Sequence, residues 1–151
     1  TYGVGATKLS RTTGLSVSEA KKLLDAFWDR NHAITKLVNS MYPREKGGKK
    51  WLKNPVSGYY HSLRSDKDKF STLNQSTGVF CFDNWVALCR RNGVQTIGQF
   101  HDEIIALVAE GQQDQTQQTM EKAIETLNNK LKLNVPLGID AQFGKNYAEI
   151  H

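Results

Sequence analysis

Apolar residues recur three and four positions apart from Ala20 to Met41, at Ala20, Leu23, Leu24, Phe27, Trp28, Ile34, Leu37, Val38 and Met41. That spacing predicts an amphipathic helix of several turns. Ser16 and Glu19 form an S-x-x-E capping box at its start. The stripe is interrupted at Asn31-His32, which predicts a bend, and Pro43 with Gly47-Gly48 ends the helical run. A shorter helix precedes it and stops at Gly14. A second long helix is predicted over about 70–91, with Leu73, Phe80, Trp85, Val86, Leu88 and Cys89 inward. Asn92-Gly93 stops it and turns the chain. A helix over about 114–131 carries Met120, Ala123, Ile124, Leu127 and Leu131 on one face.

Elsewhere the pattern suits strands. QTIGQFHDEIIALVAEG, residues 95–111, reads as two strands, 95–100 and 103–109, with His101-Asp102 at a tight turn. The second strand is apolar on both faces and is expected to be central and covered. GYYHSLRS, from Gly58, predicts a short strand pair. Residues 135–141 alternate and predict a last strand before a final turn at Gly144-Lys145-Asn146-Tyr147. The element order predicts an α+β fold, with helices packed on a small antiparallel sheet. At 151 residues a single domain is expected.

Charge adds a local feature. Residues 42–69 hold eight basic residues (Arg44, Lys46, Lys49, Lys50, Lys53, Arg64, Lys67, Lys69) and three acidic ones (Glu45, Asp66, Asp68). This segment accounts for the whole net charge of +5. Tyr42, Trp51, Tyr59 and Tyr60 are interleaved. Cations to track phosphates, with aromatics among them, suit a nucleic-acid surface, and a solvated loop is the plainer alternative. No apolar run reaches the ~18 residues of a membrane span, and the start lacks a signal-peptide pattern. Cys81 and Cys89 fall in one predicted helix about 12 Å apart, too far for a disulfide. They form no CxxC pair for zinc. An intracellular, cytoplasmic setting is expected.

The candidate chemistry lies at His101-Asp102-Glu103. Adjacent carboxylates on a regular strand point to opposite faces, but at a turn they can converge. Two carboxylates at a hairpin tip suit a hard cation such as magnesium, which keeps waters and bridges few protein ligands to phosphates. On the residues alone a plain turn is the simpler reading. STLNQSTG, residues 71–78, is polar along a helix expected in the core. Gln75 there has the donor and acceptor to read a base edge in a groove.

Together and in this order, these features resemble the C-terminal part of family A (DNA polymerase I-like) DNA polymerases, and above all the replicative enzymes of tailed phages. The resemblance covers essentially the whole chain. TYG, residues 1–3, looks like the end of the fingers helix. KKWLKNPVSGYYHSLRS, residues 49–65, looks like the phage-type segment with its Lys-Trp pair and Arg-Ser. TLNQSTG, residues 72–78, looks like the helix whose glutamine reads the minor groove. FHDE, residues 100–103, looks like the second catalytic motif of the palm. VPLGIDAQFGKNYAEIH looks like the terminal strand and tail. On this likeness residues 1–41 end the fingers, 42–69 contact DNA, and 70–151 form part of the palm with a catalytic hairpin.

The resemblance implies roles. Asp102 would be one of two aspartates binding Mg²⁺ in two-metal nucleotidyl transfer, and Glu103 the carboxylate supporting it. His101 would touch the primer end. Gln75 would contact the minor groove of the nascent pair, with Arg64 on the backbone nearby. Tyr2 would form the base of the nucleotide pocket. Partners would be primer-template DNA, with the basic segment along the duplex, and a dNTP. The setting would be a phage-infected bacterial cell. Ser71 stands where the family commonly has Asn, so the resemblance does not carry that groove contact over to this chain.

The family's first catalytic aspartate and the Arg and Lys that grip the triphosphate lie upstream of Tyr-Gly and are not in this sequence. The chain is therefore expected to need the N-terminal part of the same polymerase for activity. A proteolytic or excised fragment, a split subunit and the downstream product of an interrupted gene all fit. The last two together are the expected origin, because the break falls inside the fingers motif and residue 1 is Thr, a hydroxyl suited to an intein's downstream splice nucleophile. A non-catalytic DNA-binding module, or an α+β domain in which HDE is only a turn, are the competing readings.

Overall fold

The computed structural model describes residues 4–150. The chain is α+β, with five α-helices and two small antiparallel sheets among the described residues. It forms two compact units, Thr1–Thr77 and Gly78–His151.

In the first unit, helix α1 (Ala6–Thr13) ends at Gly14, which takes a left-handed conformation with φ 76° and donates its N–H to the Ser10 carbonyl. Glycine bears no Cβ penalty there. Helix α2 (Val17–Arg30) opens on the expected capping box. The Ser16 hydroxyl accepts the Glu19 N–H at 3.3 Å, and the Glu19 carboxylate accepts the Ser16 N–H at 2.9 Å. The expected bend is a break. Asn31 leaves helical geometry at φ −102° and ψ 37°, and its side-chain amide donates to the Phe27 carbonyl at 2.7 Å. Helix α3 (His32–Asn39) then restarts. Of the apolar stripe on these helices, Ala20 is buried, while Leu23, Phe27 and Leu37 stay exposed.

Strands β1 (Arg44–Lys46), β2 (Lys49–Lys53) and β3 (Tyr60–Leu63) form an antiparallel sheet in that order. The predicted pair within GYYHSLRS is corrected: one strand lies there, and it pairs with β2. Gly47 and Gly48, at φ 61° and 69°, make a two-residue turn with positive φ at both positions. Its twist matches the flanking strands and folds the lysine-rich β2 back on β1. Leu52 and Leu63 join Met41 in a small core against Leu73. Asn54, 1% exposed, closes the sheet. Its NH₂ donates to Ser76 Oγ at 2.7 Å and Thr77 Oγ1 at 2.9 Å, and its carbonyl accepts the N–H groups of Val56 and Ser57. All four of its hydrogen-bonding positions are used, which is what a buried amide requires.

Helix α4 (Lys69–Arg91) runs on into the second unit, where β4 (Gln95–Phe100), β5 (Glu103–Leu107) and α5 (Gln113–Leu131) follow. Cys81, Trp85, Val86, Cys89, Val94, Ala123, Ile124 and Leu127 form its core, with Ile104 and Ala106 of β5 packed against it. The Trp85 indole N–H donates to the Met120 carbonyl at 3.2 Å, which satisfies the one polar atom of a large buried ring.

Two expectations fail in this unit. Strand β5 is not central: β4 and β5 make a two-stranded sheet, so neither outer edge is paired with another strand among the described residues. Residues 135–141 form no strand. Pro136 lacks an N–H for a ladder, and both backbone groups of Leu137 bond to the side chain of Asn128. Leu137 and Ile139 still pack on the core. A 3₁₀ turn, Tyr147–Glu149, capped by Asn146, makes the final turn.

Candidate functional site

The hairpin places His101, Asp102 and Glu103 at one tip. Phe100 and Glu103 are the last register pair, so His101 and Asp102 are a two-residue turn. His101 sits at φ 46°, one of two described non-glycine residues with positive φ. Positive φ at only the first turn position is the pattern that glycine usually satisfies. A Cβ there costs on the order of 1–2 kcal/mol. The turn holds a histidine against local preference.

Side-chain alternation sorts the hairpin. Ile104 and Ala106 face the core. Gln99, opposite Ile104, donates to Asp83 of α4 at 3.3 Å. Glu103, Ile105 and Leu107 therefore lie on the other face, beside Phe100 and Gly98. A Cβ on Gly98 would stand 3.1 Å from Phe100 Cε2 and 3.6 Å from Ile105 Cβ. Glycine there lets the Phe100 ring lie along the strand next to the carboxylate tip. Asp102 is exposed and Glu103 half-buried.

Ionised carboxylates are acceptor-only oxygens, the donor type magnesium takes. Among the described residues no third His, Cys, Asp or Glu joins them into a metal-holding group. Asp102 and Glu103 thus offer carboxylate oxygens at the tip but do not by themselves make a complete donor set for a cation.

The remaining predicted residues lie in the first unit. Arg64 follows β3 directly; its side chain is 96% exposed, with Asp68 4.0 Å away. Gln75 is exposed on α4. The polarity of 71–78 has a structural part that the sequence did not disclose. Ser76 and Thr77 bond to the Leu73 carbonyl and hold Asn54. Ser71 donates to the Asp68 carbonyl. Asn74 and Gln75 point outward. Tyr2 lies outside the described residues.

One arrangement escaped the sequence reading. In the three-stranded sheet the register puts Arg44 opposite Trp51 and Trp51 opposite Ser62, Lys46 opposite Lys49, and Lys53 opposite Tyr60. These residues share one face. The other face holds Glu45, Lys50, Leu52, His61 and Leu63, with both leucines buried. Lys50 bonds Asp66 at 3.0 Å, and this hydrogen bond raises the lysine pKa and lowers that of the carboxylate. The signal was a period of two around a Gly-Gly turn, masked by the low strand preference of lysine.

Comparison with protein-family models and with curated proteins found no match. Among the described residues no helix is long and apolar enough to cross a membrane.

Proposed function

We propose that this chain is the C-terminal portion of a DNA-directed DNA polymerase of the family A, phage replicative type, acting with an upstream part of the same enzyme. The observation that carries the reading is the hairpin tip: His101 and Asp102 on a two-residue turn, Glu103 opening the next strand, and His101 kept at positive φ. Non-glycine residues in sparsely populated backbone regions concentrate at functional sites.

In this reading Asp102 binds the catalytic magnesium, together with an aspartate of the upstream part. When bound, magnesium polarises a phosphoryl oxygen and activates the primer hydroxyl. Glu103, half-buried beside Phe100, supports the tip. His101 contacts the primer end, Gln75 the minor groove, Arg64 the backbone and Tyr2 the nucleotide pocket. The basic segment 42–69 contacts primer-template DNA, and the upstream part supplies the triphosphate grip. The place of action is the cytoplasm of a phage-infected bacterium.

A second reading is a DNA-binding module without chemistry, favoured by the incomplete donor set at the tip. Primer extension separates the two. The chain is mixed with the upstream part, a primed template, dNTPs and Mg²⁺. Activity that appears on mixing and is lost in Asp102→Ala supports catalysis. Activity indifferent to that substitution overturns it, and duplex binding without extension favours the second reading.

A further inference from the structure

Strand alternation segregates charge in the three-stranded sheet. Its outward face carries Arg44, Lys46, Lys49 and Lys53, all exposed, and no carboxylate, because Glu45 lies on the opposite face. Two aromatic rings stand among these cations. Trp51 is on the central strand, half-buried, and its indole N–H donates to the Lys46 carbonyl at 3.4 Å. Tyr60 on β3 is 40% exposed, and the Arg44 guanidinium lies 5.5 Å from its ring centroid. Arg64, beyond the end of β3 and 4.0 Å from Asp68, is not counted in this face and stays with the duplex-contacting remainder of the segment.

We propose that this face binds single-stranded nucleic acid, with Lys46, Lys49 and Lys53 on phosphates and Trp51, Tyr60 and Arg44 against bases. Charge complementarity requires a polyanion: four cations on a carboxylate-free surface attract phosphates whatever the sequence. The rings decide between strands. Bases in a duplex are already stacked on each other, so a sheet lying against a duplex reaches phosphates and sugars, and planar rings at its centre gain little. Unpaired bases have free π-faces, and aromatic side chains or guanidinium planes take them with little sequence preference. The hydrogen bond to Lys46 holds the indole in place, so less freedom is lost on binding. The face thus takes the unpaired strand, and the rest of segment 42–69 is left for duplex.

This inference deepens the nucleic-acid reading of the segment without resting on the catalytic one, since binding needs neither metal nor dNTP. The test is fluorescence anisotropy of the full chain with a labelled oligothymidylate and with a duplex of equal length, without metal or nucleotide, at several salt concentrations. The oligothymidylate is expected to bind at least several-fold tighter. Lys49→Glu with Lys53→Glu should weaken it by at least about tenfold and reduce the salt slope by roughly one to two. Lys21→Glu with Lys22→Glu, the same charge change on α2, should leave it within about twofold. Trp51→Ala should weaken binding at least about fivefold, and Trp51→Phe, which keeps a stacking face, should restore most of the loss. Circular dichroism and urea midpoints establish that each variant is folded. Should Trp51→Ala disturb the sheet, Tyr60→Ala with Arg44→Gln carries the same expectation. Equal or tighter duplex binding overturns the proposal, as does an equal loss in the α2 control. Ring variants that are folded and bind normally also overturn it, since they leave only charge.

Discussion

Asn128 holds Leu137 by both of its backbone groups: the Asn128 amide donates to the Leu137 carbonyl at 2.8 Å, and the Leu137 N–H donates to Asn128 Oδ1 at 2.8 Å. The side chain does for Leu137 what a neighbouring strand would do. It anchors the segment after α5 so that Leu137 and Ile139 reach the core. Asn128→Ala removes both bonds and leaves a half-buried N–H and carbonyl without their partner. The expected loss is about 1–3 kcal/mol, read from the urea midpoint, with faster proteolytic cleavage between residues 132 and 140. Asn128→Asp keeps the acceptor only and should fall between the two. A proteolysis pattern unchanged by Asn128→Ala would show that the apolar contacts alone hold the segment.

His101 offers a test in which stability and function part. At φ 46° a glycine would carry no steric cost, so His101→Gly is expected to stabilise the hairpin by up to about 1 kcal/mol. For a chain of this size that is a rise of roughly 2–4 °C in melting temperature. His101→Val, branched at Cβ, should lower it. On the proposed reading, His101→Gly also weakens primer extension in the reconstituted enzyme. A variant that is more stable and equally active would make the histidine a tolerated turn residue.

The thiols predict a limit in alkali. Burial raises both, Cys89 to about 11 from 9.0, and Cys81 in the same direction. As pH passes 9.0 the unfolded chain releases thiol protons that the folded core retains. Their stabilising contribution is therefore complete below that pH and is lost as pH rises through about 11. Cys89 contributes on the order of 2 kcal/mol to this effect. Urea midpoints of the native chain and of Cys89→Ala, compared between pH 7 and 10.5, should converge as the pH rises. At neutral pH both thiols should react with a thiol reagent only as fast as the core opens. Immediate labelling of both would contradict their burial.

Much of this architecture was legible residue by residue, and the failures share a cause. The Ser16–Glu19 box, the helix end at Gly14, the interruption near Asn31 and the hairpin turning at His101-Asp102 are set by contacts within a few residues, so local sequence encodes them. Residues 135–141 alternate like a strand, but the partner of Leu137 is a side chain nine positions away. Periodicity carries no information about such a partner. Strand β5 looked central because it is apolar on both faces. Helices cover only the Ile104 and Ala106 side, and Ile97, Phe100 and Leu107 remain exposed. The basic segment was legible as charge but not as a surface, because lysines hid the strands that place Arg44, Lys46, Lys49 and Lys53 together. At the candidate site, the pattern identified the carboxylate pair and its turn. It could not show whether further donors meet them, which depends on tertiary structure.

The two carboxylates at the tip should behave differently, and the hairpin geometry says how. Asp102 occupies the exposed turn, where an oxygen can reach a cation without moving the strand. Glu103 begins β5, paired to Phe100 and half-buried, so its carboxylate is more constrained. If Asp102 is a direct metal ligand, Asp102→Asn removes the charge while keeping the shape. Extension by the reconstituted enzyme should then fall by at least about 10³-fold, as expected for loss of a group that acts on transition-state charge. Glu103→Gln should cost less, about 10–100-fold, in the range of a group that orients a ligand. Raising Mg²⁺, or replacing it with Mn²⁺, should recover part of the Glu103→Gln loss and little of the Asp102→Asn loss. Asp102→Asn, a change at an exposed turn position, should keep the stability read from urea unfolding within about 0.5 kcal/mol. Equal losses rescued equally by metal would place both carboxylates on the ion. A larger loss for Glu103→Gln would reverse the assignment and make the half-buried carboxylate the ligand.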